Sequence, residues 1–282
     1  MQLMKRFLWA VFFVTPLQIM AQEVKLMSYN IRLDVTSDGE NRWDARKEKL
    51  SSLIRYYEPG FIGTQEVKHH QLQYLLAQLP AYSHIGVGRD DGKTDGEYSA
   101  ILYDKKKFEL IKQGTFWLSQ TPDSVSMGWD AVCNRVCTYG LFRSNETKKL
   151  IWIFNTHFDH VGTVARLESA KLIIEKINKL NVENAPLVLC GDLNSPPEET
   201  AFQYFNKNLQ DARSISKEPA YGPVATWNAF EFNKIPKGRI DHIFINKNSH
   251  IHVMKFATLS DSYDKKYPSD HFPVMATLKI DE

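Results

Sequence analysis

Six places in the chain put an amide, a carboxylate or an imidazole at the edge of an apolar run. The segment 25–30 ends in Asn30, and 61–66 ends in Glu66. The run 150–154 leads into Asn155, Thr156, His157, Phe158, Asp159 and His160, and the run 187–190 leads into Gly191, Asp192, Leu193 and Asn194. Two later runs carry the polar group at their start: Asp241 lies in 239–245, and Asp270 and His271 precede 272–278. These are the types needed to cut an anionic ester. A divalent cation neutralises charge on the non-bridging oxygens, and a positioned base activates water. Histidine titrates near neutral pH and can give or take the proton, while a carboxylate partner fixes its tautomer. With no cysteine ligand in the set, its oxygen-rich character suits Mg²⁺, or Mn²⁺, better than zinc.

The elements that must position these groups are read from periodicity. Apolar runs predict strands over 24–31, 61–64, 187–191, 239–245, 253–259 and 274–280. Residues 99–103 and 108–115 read as one hairpin, and 136–143 with 150–156 as another, joined by the polar turn 144–149. Helical spacing covers 43–57, 71–79 and 164–180, the last with Leu167, Ala170, Ile173, Ile174 and Ile177 on one face. About ten to twelve strands are more than one open twisted sheet carries without splitting. Two packed sheets with both parallel and antiparallel pairs, and helices outside, follow in an α/β chain. If the late strands run against the early ones, C-terminal ends and N-terminal ends share an edge, and all these groups line one cleft. Asp192 and Asn194, two apart on an extended chain, would face the same side; His242 would face away from Asp241.

The order Ser-Tyr-Asn30, Thr-Gln-Glu66, Asn-Thr-His157, Gly-Asp192-Leu-Asn194, Ile-Asp241-His and Ser-Asp270-His271 resembles the endonuclease/exonuclease/phosphatase superfamily, with its DNase I-like fold. The resemblance spans essentially all of residues 22–282. It extends to exported bacterial members and the nocturnin-like and deadenylase-like branch. It implies a four-layer α/β/β/α sandwich of two mixed β-sheets, and a phosphoric ester hydrolase that uses metal-assisted attack of water on a mono- or diester. It implies Glu66 as the main metal ligand, with Asn30 beside it and Asp270 near the metal. His157 corresponds to the histidine that contacts the phosphate and protonates the leaving group. Its implied orienting partner is Glu97, six residues before Tyr103. Asp192 and Asn194 correspond to the residues that hold the nucleophilic water and the phosphate, and His271 to a second histidine oriented by Asp241. Where some DNA-repair members carry an acid two residues after the first Asn, this chain has Arg32, which argues against a repair-type site. Arg135 could clamp a phosphate through its planar fork; the alternative is a surface salt-bridge arginine. Trp117 and Trp129 read as core packing or as a substrate wall.

Composition narrows the partners. Lys5 and Arg6 precede an apolar stretch from 7 to 20 and a small Ala21, the layout of a secretory signal peptide, so we expect export to the periplasm or beyond, with no membrane span after cleavage. The alternative is an uncleaved N-terminal anchor. Residues 22–282 are expected to form one domain. Without residues 1–21, Lys+Arg falls from 35 to 33 against 33 Asp+Glu, so the remaining chain is formally neutral. A nucleic-acid binder carries a basic footprint. Neutrality therefore favours a phosphorylated small molecule or a lipid headgroup as substrate, leaving nuclease and sphingomyelinase-type phospholipid phosphodiesterase as alternatives. A non-catalytic binding module on the same fold is a different class, and it has no need of both histidines and the carboxylates. We expect a monomer. Three cysteines, Cys133, Cys137 and Cys190, argue against a disulfide framework.

Overall fold

A computed structural model describes residues 22–248 and 250–281; the expected signal peptide lies outside them. The chain runs β1 (Gln22–Asn30), α1 (Trp43–Tyr57), β2 (Phe61–Gln65), α2 (His69–Gln78), β3 (Tyr82–Ile85), β4 (Ile101–Asp104), β5 (Phe108–Trp117), β6 (Val136–Ser144), β7 (Leu150–His157), α3 (Thr163–Leu180), β8 (Leu187–Asp192), α4 (Thr200–Asn208), β9 (Gln210–Asp211), α5 (Ala212–Ile215), β10 (Asp241–Ile245), β11 (Ile251–Thr258) and β12 (Val274–Ile280). The strands form two six-stranded sheets, ordered β11-β12-β1-β2-β4-β3 and β5-β6-β7-β8-β10-β9.

Three apolar layers hold four layers of structure together. Val24, Leu26, Phe61, Ile153, Val188 and Ile243 fill the space between the sheets. Met27, Tyr29 and Ile62, on the other face of the first sheet, pack against Leu50, Leu53 and Leu72 of α1 and α2. Phe154, Leu187, Leu189 and Phe244 do the same for the second sheet against α3 and α4. A central strand buried on both faces has no polar side, which is why β2 and β8 are buried at every position instead of alternating.

The expected hairpin of 99–103 with 108–115 does not form. β4 is hydrogen-bonded to β2 on one side and β3 on the other, so neither edge is left for β5. β5 crosses to the second sheet and pairs with β6. Phe108 marks the crossing, its ring 4.2 Å from that of Phe61 in the first sheet. β3 was not apparent in the sequence because only Ile85 of its four residues is buried. The hairpin of β6 with β7 is present, antiparallel from Cys137–Thr156 to Arg143–Leu150. Helix α2 begins at His69, earlier than the periodicity suggests, because the Gln71 side chain accepts the Lys68 N–H at 3.1 Å and caps it.

Candidate active site

Strand direction gathers the polar edges. β1 and β2 are parallel, as are β7 and β8, whereas β12 runs against β1 and β10 against β8. C-terminal ends of the first four therefore meet the N-terminal ends of the last two. In the second sheet His157 and Asp241 both sit opposite Asp192 in register. The first sheet delivers Asn30 and Glu66, and the loop before β12 delivers Asp270 and His271. The resulting cleft, of about 750 Å³, is lined by Glu66, His157, Asp192, Asn194, Asp270 and His271, with Glu97, Arg32, Arg89 and Arg135 around them.

Asn30 ties the two sheets at the cleft floor. Its Nδ2 donates to Glu66 Oε1 at 2.9 Å and to Asp192 Oδ2 at 3.0 Å. The second Glu66 oxygen accepts the Leu33 N–H at 3.1 Å. Burial pushes the Glu66 carboxyl up, but His271, Asn30, Leu33 N–H and Arg32 together bring it below the usual range. Ligand atoms of Glu66, His157 and Asp192 lie within 4.8 Å of one another. Asp270 is linked to Glu66 through Arg32, whose Nη1 is 3.8 Å from both, and the Arg32 fork is held by Asp38 at 2.8 and 3.0 Å. The trio offers two carboxylates and one imidazole with no thiolate, and this oxygen-rich set fits a Mg²⁺-like cation.

The two histidines differ. His271 Nδ1 donates to Asp241 Oδ2 at 2.9 Å, and its Nε2 lies 3.8 Å from Asp192. Burial opposes its charge, but Asp241, Asp192 and Asp270 override this and raise its pKa well above the imidazole range. His157 goes the other way: burial first, then Arg135, Arg89, His271 and His160, depress it well below that range. Asn194 Nδ2 donates to Phe158 O at 3.0 Å and faces His157 Nε2 at 3.2 Å, which makes Nε2 an acceptor and places the ring proton on Nδ1. Asp192, buried and opposite Asp241, is pushed up to about 7.

The implied Glu97–His157 hydrogen bond is absent. Glu97 Oε2 lies 3.9 Å from His157 Nδ1, because Arg89 Nη1 draws the carboxylate away at 2.8 Å. Asn194 joins the site by a route other than strand alternation: β8 ends at Asp192, and Asn194 takes a left-handed φ of 45° that folds it back, its N–H donating to Asp192 Oδ1 at 2.9 Å. Asn155 shares the His157 face of β7 but points between the sheets, where it donates to Thr64 O and Ala100 O, each at 2.9 Å. Asp159 closes the loop after β7 by accepting from the N–H groups of Val132, Val161 and Gly162. His242 faces away from Asp241 and is buried against Phe202.

Arg135 is not a surface residue. It is 5% exposed and lines the cleft; its Nη2 meets His160 Nδ1 at 3.2 Å, and its Nε and Nη1 have no hydrogen-bond partner among the described residues. The nearest carboxylate, Asp159, stands off at 3.7 Å. Trp117 is core, its indole N–H donating to Arg89 O at 2.7 Å, and neither it nor Trp129 lines the cleft. The aromatic wall is Trp227 and Phe230 instead, which the sequence did not single out. Ala229 and Phe230 carry consecutive left-handed φ values of 52° and 59°, and Arg32 and Glu66 carry 58° and 59°. Such strain at non-glycine positions collects where geometry is held for function, and it has no signature in residue type; Arg89, Trp227 and Phe230 went unnoticed because they reach the cleft from loops outside the apolar runs.

A family model described as the Endonuclease/Exonuclease/phosphatase family matches residues 27–271. A solved endonuclease/exonuclease/phosphatase from Bacteroides vulgatus is 39% identical, covers 92% of this chain and 100% of its own, and superposes with a TM-score of 0.87. The mannosyl-6-phosphatase of Bacteroides thetaiotaomicron is 38% identical, with 90% and 99% covered and a TM-score of 0.87. The CCR4-Not complex 3′-5′-exoribonuclease subunit Ccr4 of Kluyveromyces lactis is 21% identical over 84% of this chain, which spans 38% of that protein's length.

Proposed function

Because the chain belongs to the endonuclease/exonuclease/phosphatase family, whose members hydrolyse phosphoester bonds, we propose that it is a divalent-metal-dependent phosphoesterase that removes a terminal phosphate from a small molecule such as a sugar phosphate. The observation that carries this reading is the convergence of Glu66, His157, Asp192, Asn194 and His271 in one cleft. The cleft is large enough for a phosphate together with a ring-sized group, and Trp227 and Phe230 offer an apolar face to such a group. Likeness to a mannosyl-6-phosphatase supports the monoester. Arg89 and Arg135 add positive charge beside His157, and a monoester dianion neutralises that charge better than a diester.

Each side chain has work to do. Glu66, assisted by Asn30 and with Asp270 nearby, would hold the cation, Mg²⁺ or Mn²⁺, which would screen the phosphate's negative charge. His271, kept protonated by Asp241 and Asp192, presents a fixed cation to the phosphate oxygens. Asp192, raised to about 7, takes a proton from water at neutral pH. Asn194 orients His157, and on substrate binding would release one of the two Nδ2 hydrogens given to Phe158 O and His157 Nε2 to reach the phosphate. His157 is neutral in the free enzyme. An anion beside Arg89 and Arg135 offsets two of the charges that depress it, so binding raises its affinity for the proton that the leaving oxygen needs. Glu97 acts on this group through Arg89 and at a distance.

Kinship with the exoribonuclease supports a second reading, cleavage of RNA ends; the neutral charge of 22–282 weighs against it. A panel of phosphoesters assayed with Mg²⁺, Mn²⁺ and EDTA separates these. Turnover of p-nitrophenyl phosphate or a hexose 6-phosphate above that of bis-p-nitrophenyl phosphate and RNA supports the proposal, and no metal-dependent turnover of any of them overturns it. We also propose export, supported by the basic and apolar pattern of residues 5–21. No described helix is long and apolar enough to cross a membrane.

A further inference from the structure

One buried cation near the cleft has no carboxylate partner and takes no part in the chemistry above. Arg46 of α1 is 4% exposed, and burial lowers its pKa. Every hydrogen bond of its fork goes to a backbone carbonyl. Nε donates to Asn41 O at 2.9 Å, Nη2 to Arg32 O at 2.6 Å, and Nη1 to both Ile31 O and Pro268 O, the latter at 3.1 Å. The guanidinium carbon also lies 5.3 Å from the Trp43 ring centroid and 5.7 Å from that of Phe230.

Three of those carbonyls, Ile31 O, Arg32 O and Pro268 O, belong to the two segments that carry the cation-binding groups. Ile31 and Arg32 follow Asn30, and the adjoining Leu33 N–H holds Glu66. Pro268 precedes Ser269, Asp270 and His271. Among the described residues one other side-chain hydrogen bond joins the segments, from Ser269 Oγ to Asn30 O at 2.7 Å. Arg32 needs restraint because its φ of 58° is left-handed for a residue with a Cβ. A carbonyl fixed by a charged donor supplies it.

We propose that Arg46 is a positioning residue for cation binding: its fork clamps the turn after Asn30 to the loop leading into Asp270, and so fixes Glu66 and Asn30 relative to Asp270. The role depends on a planar fork that reaches several carbonyls at once, which the rotating ammonium of lysine cannot reproduce. The inference rests on the metal-dependent reading above.

The test is Mn²⁺ binding to the purified protein, followed by electron paramagnetic resonance, in wild type and Arg46→Lys, with thermal melts without metal run beside it. Groups that orient metal ligands typically govern affinity by about 10- to 100-fold, so R46K should bind Mn²⁺ at least about tenfold more weakly, with kcat lowered more than KM at saturating metal. A lower melting temperature with unchanged Mn²⁺ affinity would mean a purely structural arginine and would overturn the proposal. If R46K does not fold, Ser269→Ala, which removes the parallel strap, must weaken Mn²⁺ binding by about 3- to 10-fold; unchanged affinity there overturns it equally. A wild-type protein that binds no Mn²⁺ removes the metal reading itself, an outcome distinct from equal binding by wild type and variant.

Discussion

Asp241→Asn isolates one charge while keeping shape. Asp241 is 1% exposed, its Oδ2 accepts from His271 Nδ1 at 2.9 Å, and its Oδ1 has no partner among the described residues. At that separation the attraction between the two charges is about 6 kcal/mol for an effective dielectric constant of ~20, part of which offsets the burial of the imidazolium. Losing the carboxylate should therefore cost transition-state stabilisation of about 3–5 kcal/mol, a fall in kcat/KM of roughly 10²- to 10⁴-fold. The pH profile gives a second reading. In the wild type His271 is held protonated above the ordinary imidazole range, so its charge persists through neutral pH. In D241N its pKa drops and the charged form is present only below that lower pKa; the substitution also removes the Asp241 charge that raises Asp192, so the base stays ionised and residual activity should climb as pH falls from 8 to 6. Wild type should lack this climb. The assay is steady-state hydrolysis of p-nitrophenyl phosphate at fixed Mg²⁺ from pH 6 to 8, with circular dichroism to confirm folding. Folded D241N within threefold of wild-type kcat/KM would refute the reasoning.

Further outcomes follow from the same geometry. Arg135→Ala should lower kcat/KM for a monoester about 10- to 100-fold, and for a diester less, because a lost charge-assisted hydrogen bond costs about 1.5–3 kcal/mol; equal losses on both substrates would remove its charge-reading role. His242, pushed down to about 3 by burial and by Arg239, is neutral when folded. The unfolded chain binds the extra proton below about pH 6.5, so this contribution is complete above that pH and drains away as pH falls toward 3. It should amount to about 2 kcal/mol lost by pH 5, seen as a steeper fall in urea midpoint for wild type than for His242→Gln. Asn155→Ala leaves Thr64 O, Ala100 O and Gln65 Nε2 short of a buried partner; unfolding in urea should show about 3 kcal/mol of destabilisation, and a loss under 1 kcal/mol would mean the sheets repack around it. Mg²⁺ at about 100 times its dissociation constant should stabilise the folded chain by about 2.7 kcal/mol and raise the melting temperature, with EDTA reversing both; an unmoved melt speaks against a site in the folded protein.

Residue type and order carried much of this protein's reading. Apolar runs that end in Asn30, Glu66, His157 and Asp192, and begin at Asp241 and before His271, already require strands whose ends meet, because groups so far apart in sequence can act together only on a shared sheet edge. α1 and α3 were legible because one helical face must be apolar to pack on a sheet. Pairing was not legible. A strand's composition reports that both its faces are buried, never which neighbour takes its hydrogen bonds, so the crossing of β5 to the second sheet is a tertiary fact. Charge state was equally hidden: His157 and His271 are the same residue type, and only the surroundings, burial with arginines beside it for one and carboxylates that outweigh burial for the other, leave the first neutral and the second charged. Glu97 shows the same limit, since Arg89 decides where its carboxylate points. Sequence thus determined which groups are available and that they converge. The folded chain alone decided their protonation, their partners and the strained turns that aim them, because those depend on distances between segments that sequence leaves unspecified.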